Sequence, residues 1–429
     1  MSLSLKATLE RSRHARPQSA ARVHRRGKAR LGSWRGALWS LLAAASFFLL
    51  SYPRDLLPDF LASISWLAVG TLVVVLLDVK NVRWPVVPWP ITVFLAVGGS
   101  SALWSIEPAD TARTFVVYAT ITLIAGLVVA NSEATVLLRG ITWGTVIVVG
   151  VTLWSVVTER AGAGGPLGVL PISGVHGNRN ILSYTLLLGL CAVLSYRPSG
   201  RFSTLRWLAP AVLGTCTLVL ARSGTGIVSG FVILLSACLL ASAHRYELFG
   251  SVRIRLAGGA VIAGVGVLGI ASVGAVAEVF GKTSDFSGRL PAWSAILEVW
   301  SGAPVLGYGW GAVWQYSWLS ATPNDLTNRI AESTGIWYSH GHNSFFDLLP
   351  QLGALGAVLL VVIVVYAARW VALPSRDGDF TTVRWGTLGS VGFVVCSVTE
   401  PIFMTPVGWF VIVVLAACAR EVARARRFC

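Results

Sequence analysis

Arginine and histidine mark the two ends of a long polar stretch, 279–342, in an otherwise apolar chain. Arg289 follows Ser-Gly near its start, and His340 and His342 stand in the run HGHNS at its end. A guanidinium stays charged and forms paired hydrogen bonds with diphosphate oxygens. An imidazole can remove a proton from a hydroxyl near neutral pH. These groups suit metal-free glycan transfer from a lipid diphosphate. As alternatives, Arg289 is a surface residue and His342 caps the helix that follows it.

Further polar groups precede this stretch. The run GVHGNRN holds His176, Asn178, Arg179 and Asn180, and Arg222 lies in a short turn between two apolar runs. We take Asn178, Arg179, Asn180 and Arg222 as candidates for binding substrate. A structural interpretation stays open beside this one, because asparagine and histidine form turns and an arginine at the end of a span extends to the membrane interface.

Aromatic side chains are dense in the long stretch. They are Trp293, Trp300, Tyr308, Trp310, Trp314, Tyr316, Trp318, Trp337 and Tyr338. Such rings stack on sugars or form an interfacial belt, and both interpretations stay open, with Trp293 and Tyr308 as the stacking candidates. Residues 290–300 predict an amphipathic helix that lies in the membrane interface. The apolar side of this helix is expected to hold Trp293, Ile296, Leu297 and Trp300.

Signatures of other chemistries are missing. The long stretch has no DxD-like pair of carboxylates, and the chain has no GxSxG elbow and no HExxH. The six cysteines include no CxxC, and none of them lies in the long stretch. We therefore expect no metal site, no cofactor and no disulfide framework.

Composition places the chain in a membrane. Of its 429 residues 55% are hydrophobic and only 12% are charged, whereas a soluble domain has about 25% charged residues. Continuous apolar runs near the length of a bilayer span recur along the chain, without the alternation of barrel strands. The expected fold is an all-α polytopic membrane protein with about 12 transmembrane helices.

The spans predict a topology. They are 34–51, 58–77, 86–104, 114–131, 135–157, 181–196, 207–222, 224–243, 256–278, 343–369, 384–400 and 402–419. The basic N-terminus is assigned to the cytoplasm, and the basic loops then fall on the same side. This pattern, rather than nucleic-acid binding, explains the net charge of +15. The alternation places the candidate residues together on the outer face.

The expected organisation has three parts. Residues 1–33 form a basic cytoplasmic arm that is expected to be disordered, and residues 421–429 form a basic cytoplasmic tail. Between them, 34–420 form the transmembrane domain, in which 279–342 is the extracytoplasmic active-site loop. The predicted location is the inner or plasma membrane, with both termini in the cytoplasm and membrane lipids as partners.

Motifs in the second half of the chain carry a family resemblance. The run GRLPAW at 288–293 has the pattern G-R-x-x-x-W, and PVLGYG at 304–309 has P-x-x-G-x-G. The run HNS at 342–344 then leads into a leucine-rich helix with GALG at 353–356. In this order and spacing the motifs are similar to the O-antigen ligase and polysaccharide polymerase superfamily.

Two upstream runs extend the resemblance over about residues 100–365. LWSIEPADTAR at 103–113 looks like the W-S-x-x-P segment of exopolysaccharide polymerases, and GVHGNRN at 174–180 looks like their G-x-x-G-x-x-N turn. The family has a Ser-Arg pair after a mid-chain span, where this chain has Arg222-Ser223 in reversed order. It often has an acid where this chain has Gln351, which leaves Asp347 as the substitute carboxylate.

The resemblance implies a fold and an activity. The fold is a helical membrane domain of the C-type glycosyltransferase kind, and the reaction is metal-independent transfer from an undecaprenyl-diphosphate-linked oligosaccharide on the outer face. It implies that His342 is the catalytic base and that Arg289 binds the diphosphate, with His340 as a neighbour of lower rank. The partners it implies include other glycan-assembly proteins but no nucleic acid.

Three functional hypotheses remain. The favoured one is a polymerase of polysaccharide repeat units or a ligase, which the sequence separates poorly. The alternative is a transporter or flippase of lipid-linked sugars, which tends to show internal repeats and paired broken helices, and we see no repeat between the halves. A structural scaffold for glycan assembly leaves the outer-face cations unexplained.

Overall fold

Long apolar helices make up most of the structure, a computed structural model that describes residues 30, 32–163, 172–245, 289–319, 323–372 and 380–427. The described residues form thirteen α-helices and several 3-10 turns. In chain order the helices are α1 (Trp34–Leu50), α2 (Phe60–Leu77), α3 (Trp89–Ser100), α4 (Pro108–Asn131), α5 (Ala134–Ala163), α6 (Arg179–Ser195), α7 (Ser203–Leu220), α8 (Gly224–Arg245), α9 (Arg289–Ser301), α10 (Asp325–Thr334), α11 (Ser344–Ala368), α12 (Phe380–Thr399) and α13 (Pro406–Arg427).

The predicted class is confirmed. Seven helices among the described residues, namely α2, α4, α5, α7, α8, α11 and α13, are long and apolar enough to cross a membrane, and α1, α3 and α6 are shorter apolar helices. Eleven predicted spans coincide with α1 to α8 and α11 to α13. The predicted span 256–278 and the predicted N-terminal arm up to residue 29 lie outside the described residues.

Several predicted boundaries were wrong by about a helical turn or more, among them the starts of α4 and α13. Helix α4 begins at Pro108 rather than near residue 114, because proline suits the first turn of a helix, where no backbone donor is needed. Helix α13 begins at Pro406, after a 3-10 turn at Ile402–Met404, and it continues to Arg427 through the predicted tail.

Contacts between helix termini divide the bundle into two ends. At one end, which we call the site end, the start of α6 meets the turn after α12, where Asn180 Nδ2 donates to Glu400 Oε1 at 3.0 Å. At the far end, Arg35 of α1 forms a two-pronged ion pair with buried Asp78 after α2, at 2.8 and 2.8 Å. The helices run alternately between these ends, in agreement with the alternation predicted from the loop charges.

Helix α11 is broken in its middle. Gly353 has φ 60° and ψ −158°, a conformation open to glycine alone, and Pro350 removes one backbone donor. The backbone of segment 304–309 pairs with the break. Its hydrogen bonds are Tyr308 N to Pro350 O (2.9 Å), Gly309 N to Gln351 O (2.9 Å), Ala354 N to Pro304 O (2.9 Å) and Leu355 N to Val305 O (3.2 Å). The long stretch therefore enters the bundle rather than lying over it.

Most aromatic residues of this stretch are core residues. Trp310, fully buried, packs edge-on against Phe94 at 5.3 Å and contacts Tyr118 at 5.1 Å between ring centroids. Trp314 and Tyr316 are also buried. For these residues neither the sugar-stacking nor the interfacial-belt interpretation applies, because their rings fill the space between helices.

Helix α9 confirms the helix predicted at 290–300, but its buried side is rotated. The buried residues are Ala292, Ala295, Ile296 and Val299, whereas Leu297 is 41% exposed. The side of α9 that packs against α10 and α11 contains two alanines, which allow this close approach. The interfacial placement of the apolar side with Leu297 stays a prediction.

Replacement of Gly353 by alanine tests the break in α11. A Cβ at this position would collide with the Val305 backbone, and φ 60° with ψ −158° strains any L side chain. We expect Gly353→Ala to lower the free energy of unfolding by about 3 kcal/mol or more. Thermal unfolding and gel filtration of detergent-purified protein measure this loss.

Gly70 provides the matched control. It lies in α2, and no neighbouring atom comes within 4 Å of the position that a Cβ would occupy, so Gly70→Ala meets open space. We expect this variant to be unchanged or more stable by up to about 1 kcal/mol. Equal stability of the two variants would contradict the paired break.

Candidate active site

Four elements bring polar side chains together at the site end. Arg289 begins α9, His340 and His342 precede α11, Glu400 follows α12, and Asn180 lies in the first turn of α6. All of these residues lie in loops or at helix termini. The packing of the bundle fixes the positions of the helices, and the helix ends in turn fix the positions of the polar side chains.

Glu400 is the centre of the hydrogen-bond network. Arg289 Nη2 and Asn180 Nδ2 both donate to Glu400 Oε1, each at 3.0 Å. Ser223 Oγ donates to Asn180 Oδ1 at 3.1 Å, which links the turn between α7 and α8 to the same carboxylate. The side chains of Arg289 and Glu400 are only 11% and 4% exposed. This chain of contacts joins α6, α8, α9 and α12.

The His340–His342 turn is fixed at its central residue, Gly341. The backbone N–H of Gly341 donates to Asp347 Oδ1 at 2.7 Å, and its carbonyl accepts from Trp293 Nε1 at 2.9 Å. The indole of Trp293 stacks on Phe346 with centroids 4.8 Å apart. Trp293 therefore connects α9, which carries Arg289, to the histidine turn.

His342 has a strained backbone and a free ring nitrogen. Its φ is 51°, in the left-handed region that non-glycine residues seldom adopt. Its Nδ1 atom is buried and has no hydrogen-bond partner among the described residues. Its backbone N–H donates to His340 Nδ1 at 3.2 Å, and the ring centroids of the two histidines are 4.1 Å apart. Asn343, not His342, caps α11, accepting from the backbone of Phe345 at 2.8 Å.

Asp347 lies beneath the histidine turn in a closed network. Its side chain is fully buried and accepts hydrogen bonds from Tyr316 Oη and, at 3.3 Å, from Gln351 Nε2. Gln351 Oε1 in turn accepts from the Gly311 backbone at 2.8 Å. Asp347 thus holds the turn from inside rather than facing the site.

Burial and charge set the protonation of the cluster. Burial, together with the nearby Arg289 charge, lowers the pKa of His342 to about 4. Burial lowers the pKa of His340 well below its usual value, and the nearby charges of His342 and Arg289 lower it further. Burial raises the pKa of Glu400 to about 7, although Arg289 acts in the opposite direction. Neutral histidines therefore stand beside a cation and a carboxyl that titrates near neutrality.

The two histidines and Glu400 also have the spacing of a metal site. One ligand atom from each lies within 4.8 Å of the others. However, the Glu400 Oε1 atom already accepts from Arg289 at 3.0 Å and from Asn180. A guanidinium at this position repels a divalent cation, so the arrangement suits an anion better.

The other predicted site residues are placed as follows. Asn178 caps α6, because its side-chain oxygen accepts a hydrogen bond from the Asn180 backbone N–H at 2.8 Å. This contact agrees with the structural interpretation of Asn178 as a turn-forming residue. Arg222 is exposed, adjoins Ser223 and has φ 47°. Arg179 is half-buried in the first turn of α6. Tyr308 donates from its hydroxyl to Val299 O at 3.1 Å and so braces α9.

Glu400 is the residue that sequence reasoning missed. It is the last residue of the predicted span 384–400, in the run TEPIF, at a turn that the predicted alternation places on the outer face. An acid at the very end of an apolar span and before proline was the available signal. The signal was weak because acids contribute little to topology and no motif includes the turn.

Comparison with known proteins agrees with the motifs. A family profile described as O-Antigen ligase matches residues 209–361, which run from α7 to within α11. The chain is also 25% identical over 320 residues to the "Exopolysaccharide production protein ExoQ" of Rhizobium meliloti, with 71% of this chain and 69% of that protein covered. The matched segment contains Arg222, Arg289 and His342 of the site end described above. Over these residues the chain is similar to the O-antigen ligase family.

Proposed function

We propose that this protein transfers a glycan from an undecaprenyl-diphosphate-linked donor to an acceptor hydroxyl at the extracytoplasmic face, without a metal ion. One observation carries the proposal. Arg289, held by Glu400, lies at the same helix end as the imidazole of His342, whose Nδ1 has no hydrogen-bond partner among the described residues. The similarity to the O-antigen ligase family supports the glycan substrate, and the common helix end supports a single reaction face.

The proposed step needs only these groups. His342 removes the proton of the acceptor hydroxyl, and the oxygen attacks the anomeric carbon of the donor sugar. The bond from that carbon to the diphosphate oxygen breaks, and its electron pair leaves with the diphosphate. Arg289 neutralises the charge that develops on the leaving group.

Donor binding prepares the base in this scheme. In the free protein the Arg289 charge contributes to the low pKa of His342. A diphosphate bound at Arg289 places negative charge beside the imidazole, which raises the pKa of His342 toward the range where a base works best. Glu400 orients Arg289 through one nitrogen, Nη2. In the proposed complex the other N–H groups of Arg289 donate to phosphate oxygens.

The remaining predicted residues are given supporting roles. Arg222 and Arg179 supply further positive charge to the diphosphate from the same helix end. Trp293 and Asp347 hold the histidine turn through Gly341, while Tyr308 braces α9. We retain about 12 spans, with both termini in the cytoplasm, and membrane lipids and other glycan-assembly proteins as partners.

We favour a polymerase over a ligase. The relative's name refers to exopolysaccharide production, and the upstream motifs resemble exopolysaccharide polymerases. A polymerase uses the growing chain as donor and one lipid-linked repeat unit as acceptor. A ligase passes a finished chain to another acceptor. The lipid-linked intermediates that build up in an inactive variant separate the two.

His342→Ala and Arg289→Ala test the reaction in cells that need this protein for surface glycan. We expect each change to reduce transfer by about a hundredfold or more, since each removes a base or a leaving-group cation. Lipid-linked single units then accumulate for a polymerase, and lipid-linked long chains for a ligase. The control is Arg329→Ala, an exposed arginine of α10, which is expected to behave as wild type. Unchanged glycan in both site variants would refute the enzyme reaction proposed.

The pH dependence tests Glu400. Its pKa of about 7 means that it is protonated below neutral pH and ionised above it, where it holds Arg289 electrostatically. His342, with a pKa of about 4, is already neutral across this range. At low donor concentration in membrane vesicles, we expect the rate of the wild type to rise through about pH 7. Glu400→Gln keeps an oxygen that accepts both hydrogen bonds but does not titrate, so this variant is expected to lose the rise in rate. An identical pH profile in the variant would exclude Glu400 as the source of the rise.

Arg222→Gly separates a functional from a structural arginine. Glycine relieves the left-handed backbone at φ 47°, so we expect the variant to be more stable by about 1 kcal/mol. Loss of a charged contact to the diphosphate lowers transfer by about tenfold. Phe202→Gly, at φ 61° and at the far end, is the control that gains stability but keeps its transfer rate. Full activity of Arg222→Gly would mean that Arg222 only extends to the interface.

A further inference from the structure

Two arginines that have no acidic partner among the described residues lie at the far end of the bundle. Arg197 closely follows the end of α6, and Arg384 lies in the first turns of α12. The two are close enough that the charge of Arg197 acts directly on Arg384. Because α6 and α12 pack together, both guanidinium groups lie where these helices leave the bundle.

Neither arginine is neutralised by the part of the chain that the structure describes. The described ion pairs at the far end use Arg30 and Arg35 instead. The connection 196–206 contains no aspartate or glutamate. The guanidinium of Arg197 lies 3.8 Å over the ring of Trp207, and the Arg197 side chain is exposed.

Arg384 carries a buried donor that has no acceptor. Its Nε atom is enclosed and forms no hydrogen bond to any described residue. A buried N–H of a charged group left unpaired is costly, and such groups in native proteins nearly always have a partner. An anionic oxygen beside the outer nitrogens of this guanidinium would stabilise the buried charge and offset the repulsion between the two arginines.

An apolar strip runs from this point along α7. Leu205, Leu208 and Val212 are 62%, 45% and 47% exposed, and their spacing places them on one side of the helix. The strip begins close to Trp207, under Arg197. A cationic group at the end of an exposed apolar strip is complementary to a phospholipid. The cation matches the charged headgroup, and the strip matches the acyl chains.

We propose that Arg197 and Arg384 bind the phosphate of an anionic phospholipid whose acyl chains lie along α7. Guanidinium groups match phosphate oxygens in geometry and charge, and basic pockets between membrane helices bind anionic headgroups. This site is distinct from the Glu400 network, because it lies at the opposite end of α6 and α12. It would couple the packing of α6, α7 and α12 to the composition of the adjacent leaflet.

Lipid titration of the purified full-length protein tests the site. The protein, held in neutral detergent with phosphatidylcholine, is titrated with phosphatidylglycerol while thermal unfolding and lipid adducts in native mass spectrometry are recorded. We expect phosphatidylglycerol to raise the melting temperature and form a one-lipid adduct. Each of Arg197→Gln and Arg384→Gln is expected to weaken this binding by about fivefold. Inorganic phosphate alone is expected to have no such effect.

The control is Arg201→Gln, which removes the same charge from an exposed arginine lying over Phe202 at the same end. It is expected to bind phosphatidylglycerol as the wild type does. If Arg384→Gln does not fold, the surface variant Arg197→Gln decides the question. Equal lipid binding by wild type and Arg197→Gln, or an equal response to inorganic phosphate, would overturn the proposal. Neither readout involves glycan transfer, so the result is independent of the proposed reaction.

Discussion

Helix α11 breaks at Gly353 within a stretch apolar enough to lie in a bilayer, where freed backbone groups have no water to bind. Segment 304–309 supplies the missing partners through four backbone hydrogen bonds. This pairing draws the following residues into the bundle, so that Trp310 reaches the core and Gly311 reaches Gln351. The position of the described residues that follow segment 304–309 thus depends on satisfying one broken helix.

The same pairing supports the site. Gln351, beside the break, contacts Asp347 one turn earlier, and Asp347 holds the Gly341 backbone of the histidine turn. On the other side, Trp293 holds the Gly341 carbonyl from α9. The strained φ of His342 is thus maintained by two hydrogen bonds to its neighbour, and that constraint fixes the distance between the imidazole and Arg289. Glutamine serves here where the family often has an acid, because it can both donate to Asp347 and accept from Gly311.

The ion pair between Arg289 and Glu400 is better understood as a positioning device than as a source of stability. Removing two charges from water costs about as much as their attraction returns, unless further hydrogen bonds compensate. Here Asn180 and Ser223 provide such bonds and tie the pair to α6 and α8. The arrangement leaves a cation with defined orientation, beside a carboxyl whose pKa rises to about 7.

Hydropathy and loop charge were enough to predict the helices and their alternation, since length and apolar content decide whether a segment can span a bilayer. They also placed Arg289, His342 and Asn180 at one end. Hydropathy and loop charge did not reveal that Trp310 and Tyr316 are core residues. The apolar content of a loop does not show whether the loop enters the bundle to pair with a broken helix. Glu400 escaped for a related reason: its importance arises from three elements that meet only after folding.

The filled break of α11 argues for chemistry at one face rather than passage through the bundle. A transporter places broken helices around a polar cavity at membrane depth. In the described residues the break of α11 is filled by the chain's own backbone and sealed by Trp310. At the far end, Arg35 of α1 and buried Asp78 after α2 pair with each other. The His342 imidazole, whose Nδ1 no described residue contacts by a hydrogen bond, and the strained Arg222 both lie at the site end, so the groups open to a substrate are at a helix end and not along a path through the bundle.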